Sequence, residues 1–373
     1  MQHVSYWEHT SYFAKQDVVI IGAGFTGLWT ALELKTKYPN YKITILDAGI
    51  LPTGASTKNA GFACFGSPTE LLADAALYGA DAMWALVYKR YHGIRKIHNT
   101  FSYSSIDYIN SGGYECLLDA EYNTVLQKLD WLNAGLKHIT GISDVYSIAT
   151  PQLKTLGIQH MHGLVSNKLE GMLHPAKLLQ QLHYKVSGMG VSILHNATLL
   201  SYAQHSNGIA LHTTTIPTLH AGKLIICTNG YAKALLPLEH IQATRGQVCI
   251  TDAIPNLQLK GCFHYNEGYY YFRNVGNRIL MGGARNIDFD TENTEALYTT
   301  EIIQTELKSF IQKHLLPNTP YTIAHSWSGT MGFGVHKSPI VKVIAPNVIA
   351  AVRLCGMGVA LAPMLATDVL ELL

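Results

Sequence analysis

The chain has 373 residues, enough for two domains or for one domain with a large insertion. A hydrophobic fraction of 48%, a charged fraction of 14% and a net charge of +2 describe a chain with a large core and no electrostatic case for nucleic acid or an anionic membrane as partner. The 6 cysteines form no C-x-x-C pair and the 18 histidines no H-x-x-x-H pair, which excludes a disulfide frame and leaves no metal site expected.

Residues 1 to 16 are rich in aromatics, and Tyr6, Trp7 and Tyr12 either anchor this arm on the body or form an ordered tail. Val18 to Ile21 are consecutive β-branched residues, as in a strand buried on both faces of a parallel sheet. They lead into Gly22, Gly24 and Gly27, spaced G-x-G-x-x-G, and then into a helical run from Leu28 to about Lys37. The first glycine permits a tight turn, the second lets backbone approach a pyrophosphate, and the third lets helix pack on strand. Free N–H groups at the helix start then face the phosphates. Pro39 and Asn40 break the helix, and a second strand, Tyr41 to Leu46, ends in Asp47. A carboxylate there accepts hydrogen bonds from ribose hydroxyls and repels a 2′-phosphate. Strand, glycine turn, helix, strand and acid in this order point to a dinucleotide.

The stretch after Asp47, AGILPTGASTKNAGFACFGSP, is a loop of small residues suited to run against a flat ligand, with Ser56, Lys58 and Asn59 as donors. Ser67 and Pro68 cap a long amphipathic helix to about His98. From Tyr103 to Leu118 the pattern is strand-like, alternating around a Gly112-Gly113 turn. Helices are expected near Ala120 to Ala134 and Gln152 to Leu156, and from His174-Pro175 through Val186. Val191 to Leu194, Ala197 to Tyr202 and Lys223 to Cys227 read as strands, the last feeding a second glycine turn, Thr228-Asn229-Gly230-Tyr231. Gln247 to Thr251 and the hairpin Gly268 to Gly283 read as antiparallel. The chain closes with a strand, Val348 to Val352, a turn at Gly356-Met357-Gly358, and a helix to Leu373. No secretory signal precedes the first strand, and the uncharged stretch Leu354 to Thr367 is too short to span a bilayer, so a cytoplasmic protein without an integral span is expected.

Five segments resemble the FAD-dependent amine and amino-acid oxidoreductases typified by D-amino-acid oxidase, glycine oxidase and sarcosine oxidase. They are the G-A-G-F-T-G turn with Asp47; the loop Gly54 to Phe62; the stretch His174 to Thr198; the turns at Thr228 to Tyr231 and Thr244 to Gln247; and the closing Gly356-Met357-Gly358-Val359-Ala360. Ser5-Tyr6-Trp7, the G-A-S-x-K-N loop and Trp327-Ser328-Gly329 look most like the γ-glutamylputrescine oxidoreductase branch. The resemblance implies an α/β fold, α+β in total: a Rossmann-like FAD-binding domain with a parallel sheet, interleaved with a substrate domain on a mostly antiparallel sheet. Residues 17–80, 150–235 and 340–373 are expected to form the first, and 81–149 and 236–339 the second, after an arm at 1–16.

It further implies non-covalent FAD held by Gly22, Gly24, Phe25, Thr26, Gly27, Asp47, Ala48, Ser56, Lys58, Asn59, Ala60, Gly61, Leu199, Thr228, Asn229, Gly230, Gly356, Met357, Gly358 and Val359. The Leu199 backbone would meet adenine, and the N–H groups of Gly358 and Val359 would stabilise charge on the reduced flavin. Relatives often carry histidine in place of Met357 and arginine in place of Lys58. Amino-acid oxidases place a carboxylate-binding arginine shortly after a G-F or G-L pair; here Gly332-Phe333 is followed by Gly334-Val335-His336-Lys337, so that clamp is lacking.

The implied reaction passes hydride from the carbon beside a substrate amine to flavin N5, giving an imine that water hydrolyses, with O2 or a quinone or carrier as electron acceptor. Tyr269, Tyr271 and Arg273 share one side of a strand by their spacing. They either wall the pocket, with Arg273 holding an anionic group, or decorate a solvent edge. Trp327 and Met331 shape the pocket or pack the core; His264 and His336 accept protons or are structural; Cys355 reads as a small buried residue. Other readings are an oxidoreductase acting on a modified uridine in tRNA, which would want a basic face; an NAD-dependent dehydrogenase, which leaves the closing glycine turn unexplained; and a flavin-binding protein without turnover.

Overall fold

The computed structural model describes residues 3–373 and divides into two compact units. The first comprises the chain up to Thr57, Pro175–Ala243 and Met331–Leu373, and the second Lys58–His174 and Thr244–Thr330. Residues 58–80 and 150–174, expected with the nucleotide-binding segments, thus lie in the second unit, and 236–243 and 331–339 in the first. The short strand Phe62–Ala63 pairs with Gly171–Met172, which binds both segments to the second unit; two-residue strands leave no periodicity to read.

In the first unit, the parallel strands run in the order Val348–Val352, Leu219–Ile226, Gln16–Ile21, Ile43–Leu46, Ser192–Leu194. Ile340–Ala345 adds antiparallel at one edge, and Leu199–His205 and Gly208–Thr213 extend antiparallel from Leu219–Ile226. Val18, Val19 and Ile20 are fully buried, as their unbroken apolar run requires. Helix Phe25–Lys37 packs against the closing helix Gly358–Glu371 and against Pro175–Gly188. The chain leaves Gln16–Ile21 with neighbours on both sides, and the crevice at such a strand end is where open α/β sheets bind ligands.

The second unit is built on a sheet in the order Ile323–Phe333, Gln242–Thr251, Arg278–Gly283, Tyr270–Val275, Cys262–Tyr265, Gly113–Leu117, Gly163–Asn167, Tyr146–Ile148. It is mostly antiparallel, with Cys262–Tyr265 parallel to Gly113–Leu117. One face carries Cys116, Phe263, Phe272 and Met281 and packs on Ile303 and Leu307 of helix Glu301–Phe310. Register and alternation put Glu115, His264 and Tyr271 in a row on the other face, with Cys262 and Arg273 one step along.

Several local expectations change. The strand pattern around Gly112-Gly113 is not a hairpin: Tyr103–Ile106 is a 3-10 turn, and Gly113–Leu117 pairs with distant strands. The long helix from Pro68 breaks at Gly79, whose φ of +87° no helix accommodates. In the arm, Tyr6–Thr10 forms a helical turn closed by a Ser5/Glu8 capping box, with Tyr6 and Trp7 exposed, which favours the ordered tail.

Leu307 is fully buried between helix and sheet, so Leu307→Ala should cost about 2–5 kcal/mol. Urea unfolding should show a lower midpoint at unchanged slope.

Candidate functional site

In the first unit the glycine turn is fitted to its surroundings. A Cβ on Gly27 would lie 1.9 Å from the Gly22 carbonyl oxygen, so only glycine allows the helix this close to the strand. Helix Phe25–Lys37 makes its first internal bond from Leu28 N–H to Gly24 O, which leaves the N–H groups of Thr26 and Gly27 facing out of its end. Phe25 N–H donates to Ser56 Oγ at 2.9 Å, bringing the small-residue loop against this helix start. Asp47 is buried; its Oδ2 accepts from Ala23 N–H at 2.8 Å and its Oδ1 from Gly49 N–H at 3.0 Å. Each oxygen keeps lone pairs for a further donor. Ala48, beside it, is exposed. Asp47 N–H donates to Leu194 O and Ala197 N–H to Asp47 O, which places the approach to Leu199 alongside the acid.

The closing turn is held in the same unit. Arg353, Cys355 and Gly356 have φ of +66°, +47° and +80°, a tight left-handed run that reverses the chain into the closing helix. Asn229 Oδ1 accepts from the N–H groups of Arg353 at 3.1 Å and Leu354 at 3.2 Å, and Cys355 N–H donates to Gly332 O. The Arg353 guanidinium donates to Ser338 O and His240 O. The closing helix bonds first from Leu361 N–H to Met357 O, so Gly358, Val359 and Ala360 present N–H groups without helical partners. The Asn229 side chain thereby braces this turn. Thr228 Oγ1, next to it and beside Gly230, is buried without a hydrogen-bond partner among the described residues.

The rest of the expected loop, Lys58, Asn59, Ala60 and Gly61, belongs to the second unit, as do Tyr269, Tyr271 and Arg273. Trp327 Nε1 donates to Lys58 O at 3.0 Å, and Gly61 N–H to Asn59 Oδ1 at 2.8 Å. Arg273 is 8% exposed and donates through Nη1 to Gly61 O at 3.1 Å and Leu173 O at 3.0 Å. Its Nη1 is thus engaged with loop backbone, while its Nε is buried without a hydrogen-bond partner among the described residues. Tyr271 lies edge-on to Phe62 at 6.0 Å, as does His264 at 5.3 Å. Tyr269 does not share that packing: it precedes the strand, with its ring against Phe289 and under Arg285.

Glu170 was not legible in the sequence. Its Oε1 accepts from Phe65 N–H at 2.9 Å, holding the far end of the loop, and its Oε2 lies 3.9 Å from His264 Nε2. Glu115 takes hydrogen bonds from Ser67 Oγ and from Thr69 through both N–H and Oγ1. Burial pushes Glu170 up to about 8 and Glu115 up to about 7, and pushes His264 down to about 4. His264 is therefore neutral near pH 7.

The first unit's residues fit FAD: a glycine cradle too tight for a Cβ, a fixed acid at the second strand's end, an orphaned hydroxyl at Thr228, and two helix starts with free N–H groups. Gly27→Val should abolish FAD retention, read as loss of flavin absorbance after gel filtration. The buried acids give a second test. Glu170, raised to about 8, holds a proton in the folded state that the unfolded chain releases near its usual 4.5. Its contribution to stability is complete below that lower value and lost as pH rises through the higher one. His264, lowered from 6.5 to about 4, has the opposite slope, confined to the acid side. Between about pH 7 and 8 only the carboxyl slope remains, so stability should fall with rising pH there, and Glu170→Gln should flatten the fall in urea midpoints.

Comparison with known proteins agrees. The family model described as FAD dependent oxidoreductase (DAO) matches residues 17–372. The probable oxidoreductase OrdL of Rhizobium meliloti (strain 1021) is 24% identical over 372 residues, spanning 93% of this chain and 80% of that protein. Among solved structures, the L-proline dehydrogenase from P. horikoshii superposes with a TM-score of 0.77 at 16% identity, covering 96% of this chain and 92% of the other. Glycine oxidase from Bacillus cereus ATCC 14579 gives 0.75 at 17% identity, with 96% and 94% covered. Among the described residues no helix is long and apolar enough to cross a membrane. The chain belongs to the DAO family of FAD-dependent oxidoreductases.

Proposed function

We propose that this protein oxidises a C–N bond of an amine or amino acid, giving an imine that water hydrolyses. FAD, when bound, supplies a hydride acceptor at N5. The single observation that carries the substrate class is the uncharged lining beside the loop: Phe62, the Tyr271 ring and a neutral His264 pack edge to face, and no carboxylate stands free among them. Such a lining favours an amine that arrives unprotonated, the form with a lone pair to assist hydride departure. Glycine oxidase and L-proline dehydrogenase, named among the similar structures, support the same class by analogy of fold.

In this reading Gly22, Gly24, Phe25, Thr26, Gly27, Asp47, Ser56 and Leu199 hold the ADP half of a non-covalent FAD. Thr228, Gly230 and the N–H groups of Gly358 and Val359 serve its ring end, where a helix N-terminus stabilises negative charge. Met357 adds no ionisable group there, and Lys58 keeps a positive charge on the loop. Electrons leave to O2 or to a quinone or carrier, in the cytoplasm. The Ser5-Tyr6-Trp7 arm, the G-A-S-x-K-N loop and Trp327-Ser328-Gly329 support a place near the γ-glutamylputrescine oxidoreductase branch.

The test is an absorption spectrum of purified protein before and after heat denaturation and centrifugation, followed by anaerobic addition of amines and amino acids. Flavin bands should move to the supernatant on denaturation and bleach with at least one member of the panel. A flavin that stays oxidised with every amine and amino acid would overturn the proposed reaction.

A further inference from the structure

We propose that Glu170 and His264 act as one proton-sharing pair, in which the proton on the carboxyl decides which ring nitrogen of His264 carries its hydrogen, and so what the imidazole offers a substrate amine. The proposal rests on the amine-oxidation reading and gives it a positioning residue, Glu170, and a proton acceptor, His264.

The geometry fixes where the carboxyl proton sits. Glu170 Oε1 accepts from the N–H groups of Phe65 at 2.9 Å and Gly66 at 3.4 Å, so the hydrogen of the acid belongs on Oε2. That oxygen occupies a place a glycine keeps open: a Cβ on Gly113 would lie 2.1 Å from it. From there it faces His264 Nε2 at 3.9 Å, and Nε2 is buried without a hydrogen-bond partner among the described residues. The separation exceeds a hydrogen bond, and a modest rotation of either side chain closes it.

With Glu170 protonated, Oε2 donates to Nε2, and the hydrogen of the neutral imidazole then sits on Nδ1. With Glu170 ionised, Nε2–H donates to Oε2 and Nδ1 holds the lone pair. Nδ1 is aimed across the ring, away from the carboxyl, on an imidazole that packs edge to face with Phe62 and pairs in register with Tyr271. In the ionised state a substrate ammonium passes its proton to Nδ1 while the Nε2 proton moves to Oε2. The amine is left neutral, the form that hydride departure requires, and the pair carries one proton more until it returns that proton to solvent.

The surrounding groups leave Glu170 to change charge at the alkaline end of the neutral range. Burial pushes it up to about 8, and the lowered value of His264 keeps the imidazole neutral there. Arg90, from the helix Ala80–Thr100, is tied to Glu70 at 3.0 Å, with Asp74 in its field. Burial raises the thiols of Cys64 and Cys262 and the phenols of Tyr108, Tyr146 and Tyr271, so all five stay neutral. Glu115 pairs in register with His264 and is pushed up to about 7, but Ser67 and Thr69 take both of its oxygens.

The experiment follows isotope-labelled histidine by NMR in FAD-loaded wild type, Glu170→Gln and Glu115→Gln, the His264 signals being those that His264→Gln removes. In wild type the ring should stay neutral while its hydrogen moves from Nδ1 to Nε2 with a midpoint at about pH 8. Glu170→Gln offers an amide N–H to Nε2, as the protonated acid does, and should hold the hydrogen on Nδ1 throughout. Glu115→Gln should leave the change in place. With each amine or amino acid that bleaches the flavin, Glu170→Gln should slow anaerobic reduction by about 100-fold above the wild-type midpoint, at equal flavin content. A single His264 tautomer across the range in wild type overturns the pair and needs no variant to fold. A change that persists in folded Glu170→Gln, or that Glu115→Gln abolishes, overturns it as well, and equal reduction rates overturn its role in the reaction. If the tautomer follows Glu170 while no amine or amino acid is oxidised, the pair stands and the amine-oxidation reading fails.

Discussion

The second unit depends on polar side chains from several of its elements that are spent on the backbone of a single segment. Trp327 holds Lys58 O, Arg273 holds Gly61 O, Glu170 holds Phe65 N–H, and Glu115 holds Thr69 N–H. A loop of Gly, Ala, Ser and Thr has little side chain with which to fix itself, so its conformation must come from outside. Burying an arginine and two carboxyls is costly unless each finds partners, and here the partners are backbone groups of a loop that would otherwise be unsatisfied. The exchange explains why a face that alternation would make apolar carries Glu115, His264 and Arg273. It also explains the raised carboxyl values, because Glu170 and Glu115 receive neutral N–H and O–H donors while burial from water dominates.

The first unit solves the same problem with backbone rather than side chains. The free N–H groups of its first helix start are set by the contact of Gly27 with Gly22, and its second helix start is braced by Asn229 and Arg353. Left-handed conformations at Arg353 and Cys355 carry strain that these bonds offset. Rigid helix ends keep their dipoles aligned with a ligand without reorganisation when charge develops. The Asn229 and Arg353 side chains hold this helix start through backbone partners.

The nucleotide-binding half was legible because its chemistry is local. The strand, the glycine spacing, the helix and Asp47 lie within one continuous stretch, and each glycine has a steric reason visible in the order of residues. The closing turn was legible for the same reason. Glu170 and Glu115 were not, because nothing in their neighbouring residues signals that long-range pairing brings them to the loop. The compact units differ from the expected domain limits on a related ground: the pairing of Phe62–Ala63 with Gly171–Met172 joins residues more than a hundred apart through only two positions in each strand. The Gly112-Gly113 segment misled because alternation identifies a strand but not its partner, and Gly113–Leu117 finds Cys262–Tyr265 and Gly163–Asn167 instead of its own flank.

Arg273 and Arg285 show where a spacing argument stops. Period-2 alternation placed Arg273 on the face of Tyr271, which the register supports through its pairing with Cys262 and Leu280. Facing the same way does not decide what a charge serves: this guanidinium is 8% exposed and its Nη1 already donates to two carbonyls. Arg285 lies outside the strand, where alternation makes no statement, and its place is set by the left-handed turn at Ala284 and the ring of Phe289. The deciding quantities, exposure and the partners already satisfied, belong to packing. For a buried cation the first question is therefore which carbonyls it already serves.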